Sequence, residues 1–218
     1  VTFINEVADL CERVGADVHD VARGMGLDGR IGRKFLRAGP GYGGSCFPKD
    51  TLALARTAAD AGSPVRLVET TIDVNEARKA AMAERVVAAL GGDVAGKTVA
   101  VLGLTFKPET DDMRDAPSLS VLPPLAAAGA KLRAFDPAGI AFARQLLPAS
   151  VEYAANALDA AKGADALVLL TEWNEFRALA PARLRKAMRG DVVLDFRNVY
   201  DPEAMRAAGF RYHSIGRP

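Results

Sequence analysis

The pattern of the chain changes at Lys97, and that change constrains the fold more than any other feature. From there Thr98-Val99-Ala100-Val101-Leu102-Gly103-Leu104 runs apolar without alternation, as a strand buried on both faces does. Further strands are expected at 131–135, 166–170, 192–194 and 210–214, with helices over 117–128, 138–147, 156–162, 181–188 and 202–208. Strands alternating with helices imply a parallel, doubly wound sheet that takes its ligands outside the strand C-termini. Ahead of Gly91-Gly92 the apolar spacing is helical instead. Helices are expected over 1–14, closed by Gly15, and over 17–25, with Ala16 or Asp17 near the start. Two more are expected over 48–61 and over 65–90, the second with Leu67, Val68, Thr71, Ile72, Val74 and Asn75 facing inward. Gly24, Gly26 and Gly29 should break the chain into a turn that carries Arg30. With Asp93 to Gly96 as linker, the expected architecture is α/β in two parts: an all-helical segment over 1–92, then a Rossmann-like doubly wound domain over 93–218.

The helical part contains Gly39-Pro40-Gly41-Tyr42-Gly43-Gly44-Ser45-Cys46-Phe47-Pro48-Lys49-Asp50. Its glycines let the backbone turn sharply and approach a ligand closely. Pro48 suits the first position of a helix, where its missing N–H would be unpaired in any case. Cys46 would then sit just ahead of a helix N-terminus, where the positive end of the dipole favours a thiolate, and Lys49 adds charge of the same sign. Asp50, four residues on, would be close enough to hold a water or a proton. A free cysteine is usually a small buried hydrophobe, but here glycine loop, helix start and lysine all bear on one sulfur. Cys46 and Asp50 read as a nucleophile with an acid/base partner. Cys11, by contrast, falls on the apolar face of the first helix beside Ile4, Val7 and Leu10, where burial should raise its pKa.

Arg30, Arg33, Lys34 and Arg37 put cations beside the glycine loop, which suits a diphosphate as well as a solvated basic face. A net charge of +1 argues against a nucleic-acid surface. No apolar run approaches the about 20 residues that cross a bilayer. Two cysteines make no disulfide framework, and a reducing compartment, the cytoplasm by default, is the expectation. His19 and His213 have no ligand spacing, and no metal is expected. Gly103-Leu104-Thr105-Phe106-Lys107 occupies the place of a dinucleotide fingerprint, but it has one glycine, and Phe106 would block a pyrophosphate.

The stretch from Gly39 to Asp50 resembles the active-site signature of the nucleotide-sugar 6-dehydrogenases, the UDP-glucose 6-dehydrogenase family. That resemblance implies that Cys46 forms a thiohemiacetal and then a thioester with the sugar C6, and that Asp50 positions or activates water. It implies that Arg30, reaching across a subunit interface, and the span Arg37 to Gly43, including Tyr42, hold the nucleotide sugar. Phe106, Lys107 and Arg197 would contact substrate as well. Arg114 would reach the NAD, alongside Cys46, although Arg114 equally suits an ion pair with Asp111. Asp136 and Trp173 read as structural. The resemblance further implies NAD as cofactor, UDP-glucose as substrate with GDP-mannose and UDP-N-acetylhexosamines as alternatives, and a homodimer built on the helix over 65–90. Because the first residues are already in helical period with nothing to cap them, the chain is expected to be a C-terminal piece of a longer protein. Its NAD-binding domain would lie upstream, and the piece alone would bind without turnover.

Overall fold

Helices α1 (Thr2–Val14), α2 (Val18–Met25), α3 (Cys46–Asp60) and α4 (Arg66–Ala89) come first in the computed structural model, which describes residues 1–218. Helix α1 buries Ile4, Ala8 and Cys11 and ends on Gly15 in the left-handed region (φ 73), which a glycine adopts without strain. Asp17 caps α2 by accepting from the His19 N–H, and α2 runs through Gly24, so the expected break begins only at Gly26.

Three expectations in this part are corrected. Helix α3 starts at Cys46, two residues earlier than the Pro48 start, so the cysteine is its first residue and Pro48 its third. Proline is tolerated there because none of the first four N–H groups of a helix has an intrahelical partner. In α4 the expected inner face holds with Asn75 buried and Val68, Thr71, Ile72 and Val74 half-buried, but Leu67 is 85% exposed; the fully buried stretch continues through Arg78, Lys79, Met82, Ala83 and Val86. Leu10 likewise points away from Cys11's apolar face.

The rest is a six-stranded, all-parallel sheet in the order β3-β2-β1-β4-β5-β6. Its strands are β1 (Thr98–Leu102), β2 (Lys131–Phe135), β3 (Glu152–Tyr153), β4 (Ala166–Leu169), β5 (Val192–Asp195) and β6 (Arg211–Ser214). The connecting helices are α5 (Ser118–Ala127), α6 (Ile140–Leu146), α7 (Ala157–Ala161), α8 (Asn174–Arg177), α9 (Pro181–Ala187) and α10 (Pro202–Ala207). This is the expected Rossmann-like doubly wound arrangement. Only β3 and α8, too short to carry a period, were not anticipated.

The sheet buries both faces. One contributes Ala100, Leu102, Leu167, Leu169 and Val193 to a core with α7, α9 and α10. The other contributes Val99, Val101, Val168 and Leu194 to a core that continues through Leu122 and Leu125 of α5 into Met82 and Val86 of α4 and Ile4 and Ala8 of α1. Helices α1 and α4 thus form the outer layer of one face of the sheet. That layering brings the glycine loop from the helical segment over the C-terminal ends of β1, β4 and β5, where the strand order switches direction.

Candidate active site

The loop before Cys46 is clamped through its backbone. Asn5 Oδ1 accepts from the Gly39 N–H (2.9 Å), while Arg78 Nε donates to the Gly39 carbonyl (2.6 Å). Asn75 does both for Tyr42, accepting from its N–H (2.8 Å) and donating to its carbonyl (3.2 Å). These groups are buried, so each satisfies a polar atom that would otherwise be stranded away from water. The charge of Arg78 is met by Asp9 at 2.9 Å. Burial pulls the Arg78 pKa down, and Asp9 opposes it.

Glycine is required where the loop touches the second half of the chain. A Cβ on Gly43 would come to 2.2 Å from the Asp115 carbonyl oxygen, and one on Gly44 to 2.8 Å from the Phe106 ring. The Gly44 N–H donates to the Arg114 carbonyl at 2.8 Å. Cys46 therefore emerges next to the segment carrying Phe106, Lys107 and Arg114. Its thiol is exposed, 3.7 Å from Ser45 Oγ, and no side chain caps the first turn of α3. The Arg114 pKa is raised, chiefly by its hydrogen bond to Asp112. The ion-pair partner of Arg114 is Asp112, at 2.8 Å, rather than Asp111. Lys107 lies with its Nζ 5.3 Å from the centre of the Phe106 ring. Tyr42 packs edge-on to Phe47, and burial raises its pKa. The cysteine, Tyr42, Gly43, Phe106, Lys107 and Arg114 are thus brought together.

Asp50 is turned to Lys49, 3.0 Å away, and both are exposed; this hydrogen bond raises the Lys49 pKa. Arg30 stands apart on the surface, its guanidinium on Asp28.

Arg37 and Arg197 line a cavity of about 280 Å³ together with His19, Glu172, Arg177 and Asn198. Arg197 sits in a turn organised by the buried Asp195 carboxylate, which accepts from the N–H groups of Arg197, Val199 and Tyr200 and from the Tyr212 hydroxyl. Its Nε donates to the Leu170 carbonyl (2.7 Å) and one terminal nitrogen to the Phe106 carbonyl (3.0 Å). Burial lowers its pKa and Glu172 opposes that. Arg197 thereby ties the β5 turn to the Phe106 loop and leaves its other terminal nitrogen beside Gly39. Asn198, Glu172 and Arg177 were not singled out from sequence; only Asn198, a residue type that tolerates the left-handed region it adopts here (φ 53), carried a signal by its position after a strand end.

The turn after β1 does not suit a dinucleotide. Gly103 is needed because a Cβ would meet Thr171 at 2.4 Å, and the N–H groups of Leu104 and Thr105 already donate to Asp136. A pyrophosphate there would compete with a carboxylate the fold supplies itself. Gly24-Met25-Gly26-Leu27-Asp28-Gly29 does spell the fingerprint spacing, but it ends α2 and follows no strand. Toward NAD these residues offer the exposed Arg114 and no pyrophosphate cradle.

Two family models match: the central domain of the UDP-glucose/GDP-mannose dehydrogenase family over residues 1–77, and its UDP binding domain over residues 100–202. The chain is 60% identical over all 218 residues to a UDP-glucose 6-dehydrogenase of Rhizobium meliloti (strain 1021), covering 50% of that protein. It is 46% identical to the UDP-glucose 6-dehydrogenase TuaD of Bacillus subtilis (strain 168), covering 47% of it. Among solved structures, a UDP-glucose dehydrogenase from Pyrobaculum islandicum superimposes on the whole chain with a TM-score of 0.86 at 35% identity, 48% of that chain being covered. The chain thus spans about half the length of the curated relatives it matches.

Proposed function

Because the chain belongs to the UDP-glucose/GDP-mannose dehydrogenase family, we propose that it is the nucleotide-sugar-binding and thiol-bearing portion of an NAD-dependent UDP-glucose 6-dehydrogenase. The observation that carries this reading is the docking of the Cys46 loop on Phe106, which joins the exposed thiol to the residues expected to hold the nucleotide sugar. Residues 1–92 act as the central segment and residues 93–218 as the UDP-binding domain.

NAD, when bound, supplies the hydride acceptor that turns the C6 alcohol into an aldehyde and later into the acyl level. These residues do the covalent work. The Cys46 sulfur adds to the C6 aldehyde, forming a C–S bond as the carbonyl electrons move to oxygen. The N–H groups at the start of α3, which no side chain caps, serve as donors to that oxygen as it gains charge. The adduct retains the aldehyde between the two oxidations. Once C6 is a thioester, water positioned by Asp50 attacks it and the C–S bond breaks; one water proton restores the thiol, the other passes by way of Asp50 to solvent, and the carboxylate leaves. Arg37, Tyr42, Gly43, Lys107 and Arg197 hold the nucleotide sugar. Arg30, free of this site, serves a second copy of the chain, and Arg114 faces the NAD.

A homodimer fits the surface: α3 buries only Pro48 and exposes Leu52 and Leu54, and α4 exposes Leu67. UDP-glucose is preferred over GDP-mannose or a UDP-N-acetylhexosamine. No helix is long and apolar enough to cross a membrane, and a cytoplasmic setting suits the free thiols.

Calorimetry on the 218-residue chain tests the reading. UDP-glucose should bind, and Arg197→Ala should weaken it by about tenfold, the scale of one charge-assisted hydrogen bond. No NADH should form when NAD is added, because no acceptor is held near C6. Absence of UDP-glucose binding, or NADH production by the chain alone, would overturn it.

A further inference from the structure

The early part of the cysteine loop is held by side chains that bond its own backbone: Asn5 and Arg78 at Gly39, Asn75 at Tyr42. Beyond Tyr42 that changes. Gly43 makes no hydrogen bond, and Gly44 makes one, to the Arg114 carbonyl. The last residues before Cys46 are therefore placed by what they lean on: the segment 114–116, with Gly43 against the Asp115 carbonyl, and the Phe106 ring beside Gly44. Asp115 itself has φ 54, an uncommon conformation for a residue with a side chain, which the surroundings must hold.

The residue bound to its carboxylate is Lys79. Its side chain is 1% exposed, its Nζ lies 3.0 Å from Asp115 Oδ1 and 2.8 Å from Glu76 Oε1, and its stem fills the space under Gly41. A Cβ on Gly41 would come to 2.7 Å from Lys79 Cγ. Burial works against the ammonium, but the hydrogen bonds to Glu76 and Asp115 outweigh it and the pKa is raised. A buried lysine is costly unless paired. Of its two carboxylate partners, only Asp115 belongs to the segment that carries the loop.

We propose that the Lys79–Asp115 ion pair is a latch through which α4 sets the position of the cysteine, making both positioning residues for the chemistry at Cys46. This rests on the reading of Cys46 given under Proposed function. The latch also joins Arg114 to α4, since Arg114 precedes Asp115 and its carbonyl receives the Gly44 N–H. A shift of α4 would then move the thiol and Arg114 together.

The test uses the 218-residue chain, with the iodoacetamide rate at Cys46 measured by mass mapping, with and without UDP-glucose. Lys79→Met and Asp115→Asn should each change the ligand-free Cys46 rate by several-fold, while Cys11 stays protected in the folded chain. Lys79→Arg should restore the wild-type rate. Glu76→Gln removes the ion-pair partner of Lys79 that lies outside the segment 114–116 and keeps a hydrogen-bonding side chain beside Asn75; it should stay within about twofold of wild type. The double variant Lys79→Met/Asp115→Asn should shift the rate no further than Lys79→Met alone, as for two ends of one latch. An Asp115→Asn effect no larger than that of Glu76→Gln, or additive effects in the double variant, would overturn the proposal. Asp115→Asn keeps the backbone and a hydrogen-bonding side chain, so the comparison survives even if Lys79→Met does not fold. If UDP-glucose leaves the wild-type Cys46 rate unchanged, the functional reading fails; the ligand-free rates still judge the latch.

Discussion

Two glycine-bearing turns meet at the switch point of the sheet, and they are finished in opposite ways. After β1, the chain satisfies itself: the Asp136 carboxylate accepts from the N–H groups of Leu104, Thr105, Ala138 and Gly139, from the Thr105 hydroxyl and from the Trp173 indole. Before α3, the backbone is fastened from Gly39 to Tyr42, yet the helix that follows has no side-chain cap and begins with an exposed thiol. One turn has spent its electropositive N–H groups on its own carboxylate. The other has kept its helix end for something else. A glycine turn is therefore not a binding site by geometry alone; what matters is whether the protein already supplies the anion.

The two cysteines give the sharpest way to break this contrast. Burial, with Asp17 and Glu12 adding to it, pushes the Cys11 thiol up. Cys46→Ser should remove essentially all fast iodoacetamide labelling of the folded chain, and Cys11→Ser should leave it unchanged. Preferential modification of Cys11 would show that the open turn is not the reactive one.

A smaller effect separates the glycines. Gly43→Ala and Gly103→Ala both force a Cβ into backbone or side-chain atoms, at Asp115 and Thr171 respectively. Each should cost ~1–3 kcal/mol by overpacking, with the strained φ of Gly103 adding to its cost. Only Gly43→Ala should also weaken UDP-glucose binding and alter the Cys46 rate. Thermal melting beside calorimetry distinguishes them, and an equal loss of binding in Gly103→Ala would erase the distinction between the turns.

The smallest effect concerns the far end of the sheet, away from both turns. Asp165 is held below the usual carboxylate range first by its hydrogen bond to Arg189, and also by the Thr98 N–H. A depressed carboxylate pKa contributes stability that is complete above the unfolded value of about 3.9 and is lost as pH falls through the native one. Wild type should thus lose a few degrees of melting temperature more than Asp165→Asn between neutral pH and the acid side of that window. Identical pH profiles would remove Asp165 from the account, while leaving the Cys46 comparison untouched.

What could be read from the sequence was whatever local chemistry repeats or constrains itself. The apolar run of β1 implied a strand buried on both faces, and the alternation that followed implied a parallel sheet, because period and propensity are properties of consecutive residues. The cysteine loop was legible for the same reason: glycines, thiol, proline and lysine lie within a dozen positions. The start of α3 was misjudged because proline's preference for a first turn does not say which residue of that turn it occupies, and Leu67 because a helix with weak amphipathicity does not declare its inner face. Beyond the reach of sequence lay every contact made across distance. Lys79 beneath Gly41 and on Asp115, Arg197 on the Phe106 carbonyl and Asp136 across its turn join residues 31 to 91 positions apart. Such pairings depend on how α1 and α4 layer on the sheet, and only the folded packing, which strands a buried charge unless its partner is within reach, decides which lysine meets which carboxylate.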